Sequence, residues 1–269
     1  MEPRKTIAIL GAGWLGMPLV HALAHRGHAV RASCRREAIR GQLIDSGADP
    51  YPIDLPALSG PLEAFLRDCS ALVVTLPPGG RRLGEEAITT YLAALAPLAD
   101  FLTDELHLVY TSSTGVYGRA AEGRVTEATT PAPDTHSARA VLAAERWLSD
   151  RAARLTVLRL AGLFGPGRDP ASFFACGRTV AQGDAPVNMI HQADAVAAIV
   201  HVITTGATGT FNVCAATHPT KRTFYGILSQ RAGRDAPIFT AGGAAGKIVD
   251  STALRTLGWI PRYDDLSLS

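Results

Sequence analysis

The run Gly11-Ala12-Gly13-Trp14-Leu15-Gly16 follows the apolar segment TIAIL and opens a helical pattern, which gives it the spacing of a dinucleotide-binding turn. Each glycine has its own reason in that chemistry. Gly11 permits the tight turn, Gly13 leaves room for a pyrophosphate, and Gly16 lets helix and strand pack closely. The helix start then offers free N–H groups and the positive end of its dipole to phosphate oxygens. An NAD site adds an acid at the end of the second strand, to bind the ribose 2′-hydroxyl. Here that place reads Ser33-Cys34-Arg35-Arg36, and no acid occurs before Glu37. Arg35 and Arg36 carry forked donors suited to a 2′-phosphate, so the expected cofactor is NADP; the plainer reading of the pair is a solvated basic helix start. Other spacings carry less. His21 and His25 lie in HALAH, which lacks the glutamate of HExxH, and Gly242 to Lys247 lacks the P-loop spacing. Cys34, Cys69, Cys176 and Cys214 are too far apart for a zinc set and read as reduced thiols of a cytoplasmic protein.

The elements that must position these groups alternate. Strands are expected over 6–10, 29–33, 49–53, 71–76, 106–111, 155–160 and 209–213. Helices are expected over 14–26, 36–46, 61–69, 83–102, 135–151 and 193–202, with Pro97 kinking or ending the long one. Continuous apolar strands separated by helices mean an α/β fold, a doubly wound parallel sheet covered on both faces. After Gly167 the segments become shorter and richer in Gly and Pro, as in a small lobe over the strand ends. The expected division is a dinucleotide-binding domain over 1–164 and a C-terminal substrate lobe over 165–269, with 187–214 returning to the first.

The 269 residues are 47% hydrophobic and 19% charged, which excludes a disordered chain, and a net charge of +2 gives no electrostatic footprint for nucleic acid or an anionic membrane. Glycines interrupt the N-terminal apolar stretch, so it fits a turn better than an export helix, and no later run reaches membrane-span length. The positive charge comes from 23 arginines and only three lysines, Lys5, Lys221 and Lys247.

Three further segments join the glycine turn in order: Val109 to Gly118 (VYTSSTGVYG), Leu158 to Gly167 (LRLAGLFGPG) and Ile190 to Val196 (IHQADAV). Together they resemble the extended short-chain dehydrogenase/reductase superfamily, over residues 6 to about 214, and within it the atypical YeeZ-like group, with epimerase/dehydratase-like members. The resemblance implies that the cofactor lies across the strand ends, with Trp14, Leu15, Ser33, Leu76, Pro77, Ser112 and Gly162 joining the glycines and arginines as its contacts. It also implies a hydroxyl at Ser113 that bonds the reacting oxygen, beside a tyrosine whose pKa is lowered by a lysine four residues on.

That tyrosine–lysine pair is missing. Alignment on Glu145 puts Ser137 in the tyrosine slot and Val141 in the lysine slot, and no Tyr-x-x-x-Lys occurs anywhere in the chain. A free tyrosine titrates near pH 10, so the chemistry needs some other group. Tyr117 in the same loop and His136 beside the vacant slot are the candidates for moving the proton, with Arg139 as a charge and His191 nearer the lobe. Packing accounts equally well for Tyr117, and a solvated helix start for His136. The expectation is an NADP-dependent oxidoreductase acting on a small carbonyl, imine or activated alkene. The alternatives are a non-catalytic NADP-binding sensor or partner-binding protein and, behind it, a nucleotide-sugar epimerase or dehydratase. The resemblance also suggests a homodimer through helices 83–102 and 135–151.

Overall fold

The computed structural model describes residues 4–54, 61–173 and 178–267; Cys176 lies outside the described residues. The strands in chain order are β1 (Thr6–Leu10), β2 (Ala29–Cys34), β3 (Asp49–Pro52), β4 (Ala71–Val74), β5 (His107–Ser113), β6 (Gly123–Val125), β7 (Leu155–Leu160), β8 (Gly162–Phe164), β9 (Thr179–Val180), β10 (Met189–His191), β11 (Gly209–Val213), β12 (Ile238–Phe239) and β13 (Lys247–Val249). The helices are α1 (Gly16–His25), α2 (Glu37–Asp45), α3 (Leu62–Leu66), α4 (Gly80–Leu83), α5 (Ala87–Leu95), α6 (His136–Ser149), α7 (Gln192–Thr205), α8 (Lys221–Arg231) and α9 (Thr252–Thr256).

Seven strands form one sheet in the order β11-β7-β5-β4-β1-β2-β3, and every pair in it is parallel. The period of two along β1 explains how one sheet feeds two cores. Ile7 and Ile9 pack with α1 and α7 through Leu19, Leu23, Val196 and Ile199, while Ala8 and Leu10 face α5 and α6 through Tyr91, Leu95 and Val141. The chain leaves β1 toward β2 and β3, then crosses back to β4 on the other side of β1. That reversal is the topological switch point, and a crevice opens there at the carboxyl ends of the strands.

The expected helix over 83–102 is broken. Gly79 and Gly84 take positive φ values of 67° and 55°, and α4 ends before a 3₁₀ turn leads into α5. From Ala96, with Pro97 in its first turn, the chain continues as 3₁₀ helix to Phe101. A proline has no N–H for the α-helical ladder and clashes with the preceding turn, so α5 stops at Leu95.

The lobe has a small core of its own, with Phe164, Val187, Met189, Phe224 and Leu266. Two-stranded parallel pairs β8–β10, β9–β12 and β6–β13 build it. The last pair brings the C-terminal β13 against β6, directly after the Ser113 loop. Asp194, 2% exposed, holds the tail: its carboxylate accepts the backbone N–H of Arg262 at 2.7 Å and of Tyr263 at 2.8 Å.

His107, 3% exposed at the start of β5, lies with Nε2 2.7 Å from Thr156 Oγ1, whose hydroxyl donates to the Ala207 carbonyl. Burial, with Arg154 and Lys5 adding to it, lowers the imidazole pKa to about 4. Between pH 6.5 and about 4 the unfolded chain holds the proton and the folded one does not, so stability falls as pH drops through that window. The loss from this one group is on the order of 3 kcal/mol. Urea denaturation across the window should show a steep pH slope in the parent protein and a flatter one in His107→Gln; equal slopes would remove this histidine from the effect.

Candidate active site

The switch-point crevice is built by the glycine turn. Gly11 has φ +114°, and a Cβ there would come 2.8 Å from Thr75 Oγ1. Its N–H donates to Ser33 Oγ at 2.8 Å, and Thr75 Oγ1 donates to its carbonyl at 2.7 Å, so the ends of β2 and β4 both fasten the turn. A Cβ on Gly16 would come 2.1 Å from the Gly11 carbonyl oxygen, the close approach of α1 to β1 that only glycine allows. Gly13 is different: a Cβ there meets nothing within 4 Å. Two glycines are required by the protein's own packing, and the third faces open space at the start of a helix, where an anion is stabilised.

A cavity of about 430 Å³ runs from this turn along the ends of β2 and β4. Gly11, Gly13, Ser33, Arg35, Arg36, Leu76 and Pro77 line it. Arg35 and Arg36 are exposed at the mouth, and Arg35 approaches the exposed Asp54 at 3.8 Å. Ile39, Ile53 and Tyr91 supply apolar wall, and Thr75 and Arg82 are further polar members outside the expected cofactor contacts. In the sequence Arg82 belongs to the short basic pair Arg81-Arg82, just after Pro77-Pro78-Gly79-Gly80, the turn that stops β4.

Other expected contacts lie elsewhere. The Leu15 side chain is in the core, 8% exposed, and Gly16 is consumed by helix–strand packing. The Ser112 hydroxyl donates to buried Glu145, so its side chain turns into the core rather than to the crevice. Gly162 is exposed in β8, where a Cβ would come 2.5 Å from Met189 Sδ. Trp14 points toward the lobe: its indole donates to the Pro166 carbonyl at 2.8 Å, Arg168 stacks 4.5 Å from its ring, and Gln192 Nε2 donates to its carbonyl. The glycine turn is thereby tied to the GPG segment.

Ser113 ends β5, half-buried, and its Oγ accepts the Gly115 N–H at 3.0 Å. That bond holds the loop and leaves the hydroxyl proton free to be donated. Tyr117 departs from the expectation of a proton carrier. It is 1% exposed, its hydroxyl donates to Asn212 Oδ1 at 2.8 Å, and it accepts from Arg159 Nη1 at 2.9 Å. Burial pushes its pKa up, against the opposing effect of Arg159. The phenol is a structural member of a buried network, because both its hydrogen-bonding roles are already filled.

That network centres on Arg159 and Glu145, 7% and 6% exposed. Arg159 grips the carboxylate with Nε at 3.1 Å and Nη2 at 2.7 Å. Asn212 extends it to the C-terminal segment by donating to the Asp250 carbonyl at 3.0 Å. Strands β5, β7 and β11, helix α6 and the Tyr117 loop thus share one set of hydrogen bonds.

His136 is the first residue of α6, half-buried, behind the cap in which Thr135 Oγ1 accepts the Ala138 N–H at 3.1 Å. Ser137, in the vacant tyrosine slot, packs on Gly80: a Cβ on that glycine would come 2.4 Å from Ser137 N and 2.5 Å from its Oγ. Val141, in the lysine slot, is core, 4% exposed. His191 caps α7 with Nδ1 accepting the Ala193 N–H and stacks 3.8 Å from the Tyr263 ring, while burial lowers its pKa. A lysine does reach the Ser113 loop, but from the lobe. Lys247 Nζ donates to the Gly118 carbonyl at 2.6 Å and to the Thr114 carbonyl at 3.2 Å, and burial lowers its pKa. No sequence spacing connects position 247 to position 113, so only the pairing of β13 with β6 makes that contact visible.

Comparison with known proteins agrees with this layout. The model of the NAD dependent epimerase/dehydratase family matches residues 7–214. Protein YeeZ of Escherichia coli K12 is 38% identical, the alignment covering 97% of each chain. The structure of a putative NAD-dependent epimerase/dehydratase from Methylobacillus flagellatus is 25% identical, with TM-score 0.73 over 98% of this chain and 95% of that one. The fold also matches a UDP-glucose 4-epimerase of Thermus thermophilus solved in complex with NAD, at 20% identity and TM-score 0.76 over 98% and 97% of the two chains.

Proposed function

We propose, from the premise that this chain belongs to the NAD dependent epimerase/dehydratase family, that it is an NADP-dependent oxidoreductase of the atypical short-chain type acting on a small molecule. The observation that carries the reading is the cleft: Gly13 faces open space at the phosphate end, and Arg35 and Arg36 line the ribose end, where among the described residues the exposed Asp54 approaches Arg35 at 3.8 Å without lining the cavity. The open space in front of Gly13 and the 430 Å³ of cavity suit a dinucleotide. The Thermus relative was solved with NAD; at the end of β2 this chain carries guanidinium groups, which favour a 2′-phosphate.

The residues divide the work. The turn at Gly11–Gly13 and the start of α1 bind the pyrophosphate, Arg35 and Arg36 the 2′-phosphate, and Leu76 and Pro77 the wall beside them. When bound, the nicotinamide supplies or takes a hydride. Ser113 donates a hydrogen bond to the reacting oxygen or nitrogen of a carbonyl or imine, and Lys247 holds the Ser113–Gly118 loop from the lobe. With Tyr117 committed to its network, His136 and water remain as sources of the transferred proton. The same proposal sets the protein in the cytoplasm, which the free thiols at Cys34, Cys69 and Cys214 support. Among the described residues no helix is long and apolar enough to cross a membrane. Two subunits joined through α5 and α6 complete the proposal.

A second reading, a non-catalytic NADP-binding protein, is favoured by one observation: the tyrosine left in the loop is hydrogen-bonded away. Nucleotide-sugar epimerisation has less support, since it requires oxidation of an alcohol, the step that a tyrosine–lysine pair assists. Equilibrium titration with NADPH and NADH is the test, followed by NADPH turnover on a panel of carbonyls and imines. NADPH should bind more tightly by about tenfold or more. Equal affinities or an NADH preference would refute the NADP reading; tight NADPH binding with no turnover on any of the panel would favour the non-catalytic one.

A further inference from the structure

We propose that Trp14 couples the glycine turn to the C-terminal lobe, so that a dinucleotide bound at the turn fastens the strap of residues 165–168 and the lobe behind it. The inference rests on the dinucleotide reading of the cleft and not on the NADP preference, because the pyrophosphate is common to both cofactors. Trp14 follows Gly13, the glycine with open space before it. The Met17 N–H donates to the Gly13 carbonyl at 2.9 Å, and this bond leaves the Trp14 N–H ahead of the helical ladder. No acceptor among the described residues takes that N–H. The other two polar groups of Trp14 are committed away from the turn. Its carbonyl accepts from Nε2 of Gln192, the 8% exposed first residue of α7, at 2.6 Å. Its indole donates to the Pro166 carbonyl at 2.8 Å. One residue therefore offers an N–H to an anion while its ring holds the lobe.

The strap is a turn closed on itself. The Gly165 N–H donates to the Arg168 carbonyl at 3.2 Å, and the Arg168 N–H to the Gly165 carbonyl at 2.9 Å. The Arg168 guanidinium lies 4.5 Å from the centre of the Trp14 ring. Gly165, at φ +144°, fits closely against α7, where a Cβ would come 3.0 Å from Gln192 Cβ. On the near side, Phe164 belongs to the lobe core and meets Phe224 of α8 edge to face, with ring centres 6.5 Å apart. On the far side, Ala171 is buried in a short 3₁₀ turn that packs on α8. Both ends of the strap are thus anchored in the lobe, and its middle clips to Trp14. Pro166, Gly167, Arg168 and Asp169 are exposed, so opening the clip costs little else. A phosphate on the Trp14 N–H fixes the backbone that aims the indole and favours the clipped state. The effect is reciprocal: the factor by which a bound dinucleotide stabilises the clip is the factor by which the clip tightens the dinucleotide.

The test is hydrogen exchange of the Gly165 and Arg168 amides, with and without saturating NADPH, in the parent protein and in Trp14→Phe. Phenylalanine keeps a ring for Arg168 and removes the indole donor. NADPH should slow exchange of these amides by about fivefold or more in the parent and leave it nearly unchanged in the variant. Calorimetric titration should show a matching loss of affinity in Trp14→Phe, about fivefold or more and equal for NADPH and NADH. Arg168→Ala, exposed and on the strap itself, should give the same two losses, and it carries the test if Trp14→Phe melts early. Exchange in the parent that saturating NADPH leaves unchanged overturns the coupling, as does protection that persists in both variants. A loss of affinity confined to NADPH overturns it as well, since that effect would lie at the 2′-phosphate. Each of these outcomes leaves the dinucleotide reading standing, whereas a parent protein that binds neither cofactor overturns that reading and the inference together.

Discussion

Glu145→Gln is expected to destabilise the fold by about 3–5 kcal/mol, the cost of leaving a buried charge without its partner. The pair is almost fully enclosed, and Arg159 makes both of its carboxylate bonds to this one residue. Burial opposes the guanidinium charge, and the Glu145 carboxylate outweighs it, so the Arg159 pKa stands above its ordinary value. In the glutamine, Oε1 can still accept from Ser112 and from Arg159 Nε, but the amide nitrogen that replaces Oε2 is a donor facing Arg159 Nη2, and the guanidinium keeps its charge with Tyr117 as its remaining acceptor. The damage would spread, because the same bonds reach Asn212 on β11 and the loop after Ser113. Urea denaturation near neutral pH measures it. Glu145→Leu combined with Arg159→Met should recover most of the loss, since an apolar pair of similar volume carries no desolvation cost. A loss below about 1 kcal/mol in Glu145→Gln would mean that water reaches the guanidinium and that the network is not closed.

The same network marks how far the sequence was legible. Strand β1 has the bounds that its apolar run predicts, because a strand buried on both faces is written as a continuous apolar segment; β7 and β11 keep their expected bounds although Thr156, Arg159, Thr210 and Asn212 interrupt theirs. The glycine turn was legible for a similar reason: its constraints are local, and they leave a fixed spacing. Tyr117 was not. Its loop is short and its motif supports a surface role, while the residues that bury its hydroxyl, Arg159 and Asn212, lie 42 and 95 positions away. Lys247 is the same case from the other end. Counting lysines established that no local tyrosine–lysine pair exists, but the strand pairing that brings Lys247 to the Thr114 and Gly118 carbonyls has no local signature. The break in the 83–102 helix was half legible: Pro97 announces the end of α5, whereas the separation of α4 depends on Gly79 and Gly84 taking positive φ.

Gly13→Val should abolish dinucleotide binding, by on the order of a hundredfold or more, and leave the melting temperature nearly unchanged. The reasoning is a comparison of three glycines within six residues. A Cβ on Gly16 would strike the Gly11 carbonyl at 2.1 Å, and one on Gly11 would strike Thr75 from a backbone that side chains rarely adopt. Substitution at either disturbs the turn itself, so a loss of binding there says little about the ligand. Gly13 is exposed, and its Cβ would touch no protein atom within 4 Å, so valine meets no obstacle in the folded chain. Its methyl groups would instead fill the space before the first turn of α1, where the phosphates need the backbone N–H groups. Gly16→Ala serves as the contrast, expected to lower the melting temperature. The two variants should therefore separate, one losing binding without stability and the other losing stability first. NADPH titration with thermal melting of both proteins reads the difference. If Gly13→Val binds NADPH like its parent, the pyrophosphate does not lie on this turn, and the cleft holds its ligand in some other way.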